Sequence, residues 1–193
     1  MSAFSHIHDS FLRRLASDLD PKYTYHDVDH TEQVIRNVTL LAEFSGISGR
    51  TLDLLKLAAL FHDSGFLKSP IDHEERSCAI ARNELKEEGL TSEELKKICE
   101  MIMATKIPQS PTNELGRIMA DGDLYHLGTD QYDMHAEKLF REMKNTKPDF
   151  REGDWVKTQI SFLRNHRFHT EFGKKELEPV KRIHLKKLEN KKG

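Results

Sequence analysis

From Leu52 to Phe61 the chain reads Leu52, Leu54, Leu55, Leu57, Ala58, Ala59, Leu60 and Phe61, with only Asp53 and Lys56 between them. A helix built from such a run is apolar almost all round and belongs in the middle of a bundle. The run ends on His62-Asp63. His62 falls on the stripe of Leu55, Ala58 and Ala59, so its imidazole faces the interior and Asp63 beside it is a nearly buried carboxylate. Such a charge is costly unless a cation or several donors meet it. Capping of a neighbouring helix by Asp63 and a hydrogen-bonded core His62 are the alternative for the pair alone.

The remaining segments also read as helix. Phe11, Leu12 and Leu15 form a first short amphipathic stretch ending before Asp20-Pro21. Val34, Val38 and Leu41 recur at helical spacing, with Asp27 or Asp29 as N-cap and Gly46 as stop. A fourth helix spans about Glu74 to Leu85, and Thr91 with Glu94 has the capping-box spacing that opens a fifth. Glu114 to Leu127, Tyr132 to Met143 and Trp155 to about Arg167 supply three more, and the basic tail from Lys174 is expected to be a solvated, fraying helix. No alternation long enough for a sheet and no internal repeat occurs. The expectation is an all-α fold, a single-domain helical bundle over residues 1–193, with a core at about 25–128 and C-terminal helices over 132–190 packed on it.

Charge narrows the function. The 30 Lys and Arg against 32 Asp and Glu give a net charge of −2, which excludes a dedicated nucleic-acid binder with a basic face. Two cysteines, Cys78 and Cys99, cannot organise a disulfide framework or a thiolate zinc cluster. No apolar run approaches about 18 residues, so no membrane span is expected. With no apolar signal core near the N-terminus, the expectation is a reduced, cytoplasmic protein.

The unusual feature is 11 histidines. His-Asp occurs as His8-Asp9, His26-Asp27 and His62-Asp63, and the dipeptide alone carries nothing. Context does. His8-Asp9 lies in a polar, exposed stretch, whereas Tyr25-His26-Asp27-Val28-Asp29-His30-Thr31 places two histidines at i, i+4 if that segment is helical. Asp121-Gly122-Asp123 adds carboxylates on a helix whose inward residues are Leu115, Ile118 and Met119. Imidazole, imidazole with carboxylate and a distant carboxylate form a mixed N/O set for one divalent cation: Mn, Fe, Co, Ni, Zn or Mg.

These positions resemble the HD-domain metal-dependent phosphohydrolases, whose pattern is a His, a His-Asp pair about thirty residues on, and a distant Asp. The matching residues are His30, His62, Asp63 and Asp123, over about Tyr25 to Gly128; Asp121 is the alternative last ligand. His-Asp-Ser-Gly-Phe-Leu, Ile-Met-Ala-Thr-Lys and the string from Trp155 through Gln159, Phe162 and His166 to Thr170 also resemble bacterial single-domain members. Tyr25-His26…His30-Thr31 is similar to a signature of cyclic-nucleotide phosphodiesterases. Members with two metals usually carry two further histidines; His73 stands at one of those positions, but Ala104-Thr105 stands at the other, which favours one ion.

The resemblance implies hydrolysis of a P–O bond in a nucleotide or related small phosphoester by a metal-activated water. A (deoxy)nucleoside triphosphate pyrophosphohydrolase, or a non-catalytic helical protein sensing a nucleotide or metal, fits the same residues. His26 is the expected general acid on the leaving oxygen. His73 is read either as a proton shuttle beside the site or, with Glu74, as part of a helix-capping turn. Lys106 is read either as a contact to a substrate phosphate or as a surface lysine. His126, His135, His169 and His184 are read as surface or packing residues, His166 is left open, and Phe140, Trp155, Phe162 and Phe168 are expected in the core.

Overall fold

In the computed structural model, which describes residues 3–147 and 149–191, the chain runs through α1 (Ala3–Asp18), α2 (Val28–Phe44), α3 (Gly49–Phe61), α4 (His73–Leu85), α5 (Ser92–Met103), α6 (Glu114–Asp123), α7 (Tyr132–Thr146), α8 (Glu152–Asn165) and α9 (Glu178–Lys191). Single 3₁₀ turns at Ser64–Leu67 and Tyr125–Gly128 and a π turn at Gly173–Leu177 join some of them. No strand occurs among the described residues, so the fold is all-α.

The apolar run becomes the centre of the packing. Leu54, Leu55, Leu57, Ala58, Ala59, Leu60 and Phe61 are all buried in α3, which packs against α1, α2, α4, α5 and α6. Each such large side chain contributes roughly 1.5–3 kcal/mol by leaving water. α2 meets it with Val34, Val38 and Leu41, and α5 with Ile98, Met101 and Ile102. Local signals fix the ends. Asp27 accepts from the His30 amide as N-cap of α2, and Thr91 and Glu94 form the reciprocal capping box of α5. Asp27 as cap puts His26 outside the helix, so His26 and His30 do not share a helical face.

Three expectations are corrected. α6 ends at Asp123, and the chain tightens into the 3₁₀ turn Tyr125–Gly128 instead of running on to Leu127 as one helix. The tail is packed, not fraying: Lys181 is 1% exposed and its ammonium is held by Glu178 and the His166 carbonyl, while His184 bonds the Thr129 carbonyl. Phe140, Trp155 and Phe162 are half-buried, whereas Phe168 is buried.

Two glycines set the close approaches on which the site depends. A Cβ on Gly122 would lie within the Val38 side chain, so α6 can press against α2 only because no side chain stands there. Asn37 of α2 reaches across to the Gly122 carbonyl at 3.0 Å. A Cβ on Gly65 would strike the His73 carbonyl, and the Gly65 amide donates to Ser77 at 2.8 Å, which draws the start of α4 to the end of α3. Gly122→Ala is expected to destabilise the protein by about 1–3 kcal/mol through overpacking. Adding Val38→Ala should return part of that loss although Val38→Ala is itself destabilising. Urea unfolding of the double-mutant cycle reads the coupling, and strict additivity would contradict the close-approach account.

Candidate metal centre

Three helix ends meet at one buried point. His30 comes from the first turn of α2, His62 and Asp63 follow the last residue of α3, and Asp123 ends α6. His62 is 0% exposed, His30 3% and Asp63 8%. The His30 and His62 Nε2 atoms are 3.2 Å apart. Asp63 Oδ2 lies 3.3 Å from the first and 3.0 Å from the second, and Asp123 Oδ1 lies 3.3 and 3.6 Å from them. His30, His62 and Asp123 offer ligand atoms that all lie within 4.8 Å of one another.

These spacings can be tested against a cation. Ligand atoms about 2.1 Å from one ion sit ~3.0 Å apart at right angles and ~3.4 Å apart in a tetrahedron. The observed 3.0–3.6 Å spans that range. Tautomer agrees with geometry: His62 Nδ1 lies 2.8 Å from the Ala59 carbonyl, which can only accept, so in the neutral ring the proton is on Nδ1 and the Nε2 lone pair faces the cluster. The residues therefore fit a divalent metal ion.

Without a cation, protons have to balance the charge. Burial pushes His62 and His30 down, but the Asp63 and Asp123 carboxylates outweigh it, raising His30 and holding His62 well above the usual 6.5. Burial pushes Asp63 and Asp123 up, and the imidazoles overcome it and hold both below 3.8.

The two candidate aspartates on α6 have different surroundings. Asp121 is fully buried away from the cluster and accepts from the His169 and Thr170 amides, both at 2.8 Å, and from the Thr170 hydroxyl at 2.6 Å. Its oxygens are taken; it ties α6 to the segment after α8. Asp123 faces the imidazoles.

The other expected residues divide. His26 lies at the cavity beside the cluster, stacked on Phe66 with ring centroids 4.0 Å apart. His73 Nε2 is 3.4 Å from Asp63 Oδ1, and Glu74 is buried in the cavity wall. Of the two readings of Lys106, its position matches the surface lysine: its ammonium pairs with Glu75 at 2.5 Å, 40% exposed, and does not line the cavity. His126 and His135, read as surface or packing residues, both line it.

One residue escaped the sequence reading. Glu142 on α7 is buried; its Oε1 lies 2.5 Å from His26 Nδ1, and its Oε2 accepts from the Tyr25 and His26 amides at 2.9 and 3.1 Å. Burial pushes its carboxyl up, but the His26 bond outweighs this and keeps it below its usual value. The available signal was a carboxylate on the inward stripe of Tyr132 and His135.

The cavity holds about 230 Å³ and reaches from Asp63 and Asp123 to an apolar wall of Ile107, Leu124, Leu127, Leu139 and Phe162. Among the described residues lining it, none is Lys or Arg. Compared with known proteins, residues 27–128, just over half the chain, match the family model described as HD domain. No curated protein and no solved structure matches.

Asp123→Asn is expected to abolish stoichiometric metal in protein purified without chelator, while Asp121→Asn keeps most of it and lowers the unfolding temperature. Elemental analysis and thermal unfolding read the two effects, and the reverse pattern would move the ligand to Asp121. pH supplies a further check. In chelated protein the raised imidazoles stabilise fully below 6.5, and that contribution fades as pH rises through their folded values. The depressed carboxylates stabilise above 3.8 and lose this as pH falls. A divalent ion replaces the protons, so the rise in unfolding temperature on adding Mn(II) should be larger at about pH 8 than at about pH 6. An equal or smaller rise at the higher pH would contradict the site.

Proposed function

The chain belongs to the HD-domain family, a superfamily of metal-dependent phosphohydrolases, and from that premise we propose that it hydrolyses a P–O bond in a small phosphoester bearing one phosphoryl group. The observation that carries this reading is the cavity: His30, His62, Asp63 and Asp123 would hold a cation at one end of it, and among the described residues its walls bring neither lysine nor arginine. A triphosphate spreads several negative charges over three groups, and sites that bind it set cationic side chains along them. This cavity has room for one phosphoryl group at the cluster and an uncharged remainder along the apolar wall, which disfavours the pyrophosphohydrolase.

When bound, a divalent cation supplies a Lewis acid for a phosphoryl oxygen and lowers the pKa of a water. The chain's own residues do the rest. His62 is held by the Ala59 carbonyl with its lone pair inward. Glu142 fixes the Nδ1–H of His26, so the proton to be delivered sits on Nε2, the ring nitrogen left free. A leaving alkoxide needs that proton, and such donation is commonly worth ~10²–10⁴ in rate. The Phe66 ring holds the imidazole plane, and the Glu142 carboxylate holds its Nδ1 edge. This positioned dyad beside the cluster favours the enzyme reading over a protein that only senses a ligand. His73, on the other oxygen of Asp63, is placed to hold that carboxylate in orientation.

A panel of phosphomonoesters, cyclic nucleotides and nucleoside triphosphates assayed with Mn(II) tests the reading. Turnover of the first or second group is expected, and turnover of triphosphates alone would overturn it. His26→Ala should keep metal and fold, and lose ~10²-fold or more on an alkyl phosphoester but much less on a p-nitrophenyl ester, whose leaving group departs unprotonated. Equal losses on both would remove the general-acid role.

A further inference from the structure

Cys78 on α4 and Cys99 on α5, which no part of the metal chemistry uses, meet at the seam between the two helices, and neither is in a disulfide. Cys78 Sγ lies 3.5 Å from the Cys99 carbonyl oxygen, and Cys99 Sγ lies 3.8 Å from the Cys78 carbonyl oxygen. The arrangement is reciprocal: each sulfur stands against the backbone of the other residue, and the two thiols also bond each other directly. They are 21 positions apart, so the return of the chain through the α4–α5 hairpin is what brings them together. A buried cysteine on its own packs as a small, inert hydrophobe. Two in mutual contact differ, because the proximity that a bond between them requires is already supplied by the fold.

The pair is not sealed in the core. Each cysteine is 5% exposed, and both line a groove of about 510 Å³ with Arg82, Lys96, Glu75 and Glu100. That groove shares no lining residue with the metal cavity. The two sulfurs are not equivalent. The bond from Cys78 outweighs burial and brings Cys99 down to about 7, with the Arg82 charge adding to it and Glu100 opposing. The same contact pushes the Cys78 thiol up, and burial adds to that. Near neutral pH Cys99 is therefore a thiolate in a substantial fraction of molecules while Cys78 keeps its proton. A nucleophilic sulfur beside a protonated one matches the pairing of a peroxide-reactive thiol with a resolving thiol.

We propose that Cys78 and Cys99 form an oxidation site, at which a hydroperoxide converts the pair into a reversible disulfide that staples α4 to α5. The Cys99 thiolate attacks one oxygen of hydrogen peroxide. The S–O bond forms, the O–O bond breaks, and the leaving hydroxide takes a proton from solvent, so Cys99 becomes a sulfenic acid. The Cys78 sulfur then attacks the Cys99 sulfur: the S–S bond forms, the S–O bond breaks, and the hydroxide leaves with the Cys78 proton as water. In all the two thiols lose two electrons and two protons, and the peroxide is reduced to two waters. The staple acts on the helix whose first turn carries His73 and Glu74 into the cavity wall. Cys78 follows Glu74 by about one turn of that helix. Oxidation therefore fixes against α5 the element whose start reaches Asp63, and it blocks local opening of α4 away from the cluster.

The full chain loaded with Zn(II), an ion without redox chemistry of its own, is treated with hydrogen peroxide under native conditions, quenched and unfolded. Neither cysteine should then react with iodoacetamide, peptide mapping should find a Cys78–Cys99 link within one chain, and dithiothreitol should restore both thiols. The oxidised protein should unfold about 5 °C or more above the reduced one, because the crosslink restricts the unfolded hairpin. Cys78→Ala should leave Cys99 as a sulfenic acid that dimedone traps. Cys99→Ala should leave Cys78 reacting with peroxide about tenfold more slowly than Cys99 does. Arg82→Gln keeps both cysteines and should slow the peroxide reaction of Cys99 about threefold or more, so the site is tested even if an alanine variant fails to fold. Two thiols that still alkylate after excess peroxide overturn the site. So does a link between chains, or Cys99 driven to a sulfinic acid while Cys78 remains a thiol. No readout here uses a phosphoester, so such a failure overturns the oxidation site alone.

Discussion

Two imidazole nitrogens 3.2 Å apart, each with an oxygen of both Asp63 and Asp123 at 3.0–3.6 Å, meet at the buried ends of three helices, and much of the surrounding structure serves to make that meeting possible. Leaving such groups together without a cation is costly, because each has been taken out of water and the two carboxylates repel. The core supplies the compensation. α3 is buried from Leu54 to its end apart from Lys56, and that burial fixes where its last turn ends, and so where His62 and Asp63 stand. The missing side chains at Gly122 and Gly65 let α6 and the start of α4 approach closely enough to complete the cluster from the other sides.

α6 shows how one short helix serves two demands. Asp123 turns toward the imidazoles, while Asp121, two residues earlier, is spent on the backbone of His169 and Thr170. The first carboxylate is there for charge, the second for hydrogen bonds. Through Asp121 the helix that carries a metal candidate also holds the segment after α8. The HD-domain match covers residues 27–128 and ends before α7, α8 and that segment. Glu142, which holds His26, and Phe162, in the cavity wall, come from the part of the chain outside it.

Much of this was legible in the sequence because the signals were local or strongly periodic. An all-round apolar run specifies a central helix, Thr91 with Glu94 specifies a start, and His62-Asp63 at the end of the central helix marks a buried charge in need of a partner. The pairing of His26 with Glu142 was not legible: they are 116 positions apart, and no short-range pattern links a histidine in the loop before α2 to a glutamate on α7. Lys106 left two readings open for a related reason. Its place after an inward helix suggested the cavity, but a long flexible side chain goes to the nearest carboxylate in water, here Glu75. The tail reads as solvated from its lysines, yet Lys181 is buried because one glutamate and one carbonyl meet its charge, which composition does not reveal.

The central claim is that one divalent ion completes a shell of two histidine nitrogens and aspartate oxygens. X-ray absorption at the metal edge of protein loaded with a single equivalent of Mn(II) or Zn(II) reads that shell directly. The account predicts two imidazole scatterers with the remaining positions filled by oxygen, and loss of one imidazole in His30→Ala. Sulfur scattering from Cys78 or Cys99, or an all-oxygen shell unchanged in His30→Ala, would contradict it.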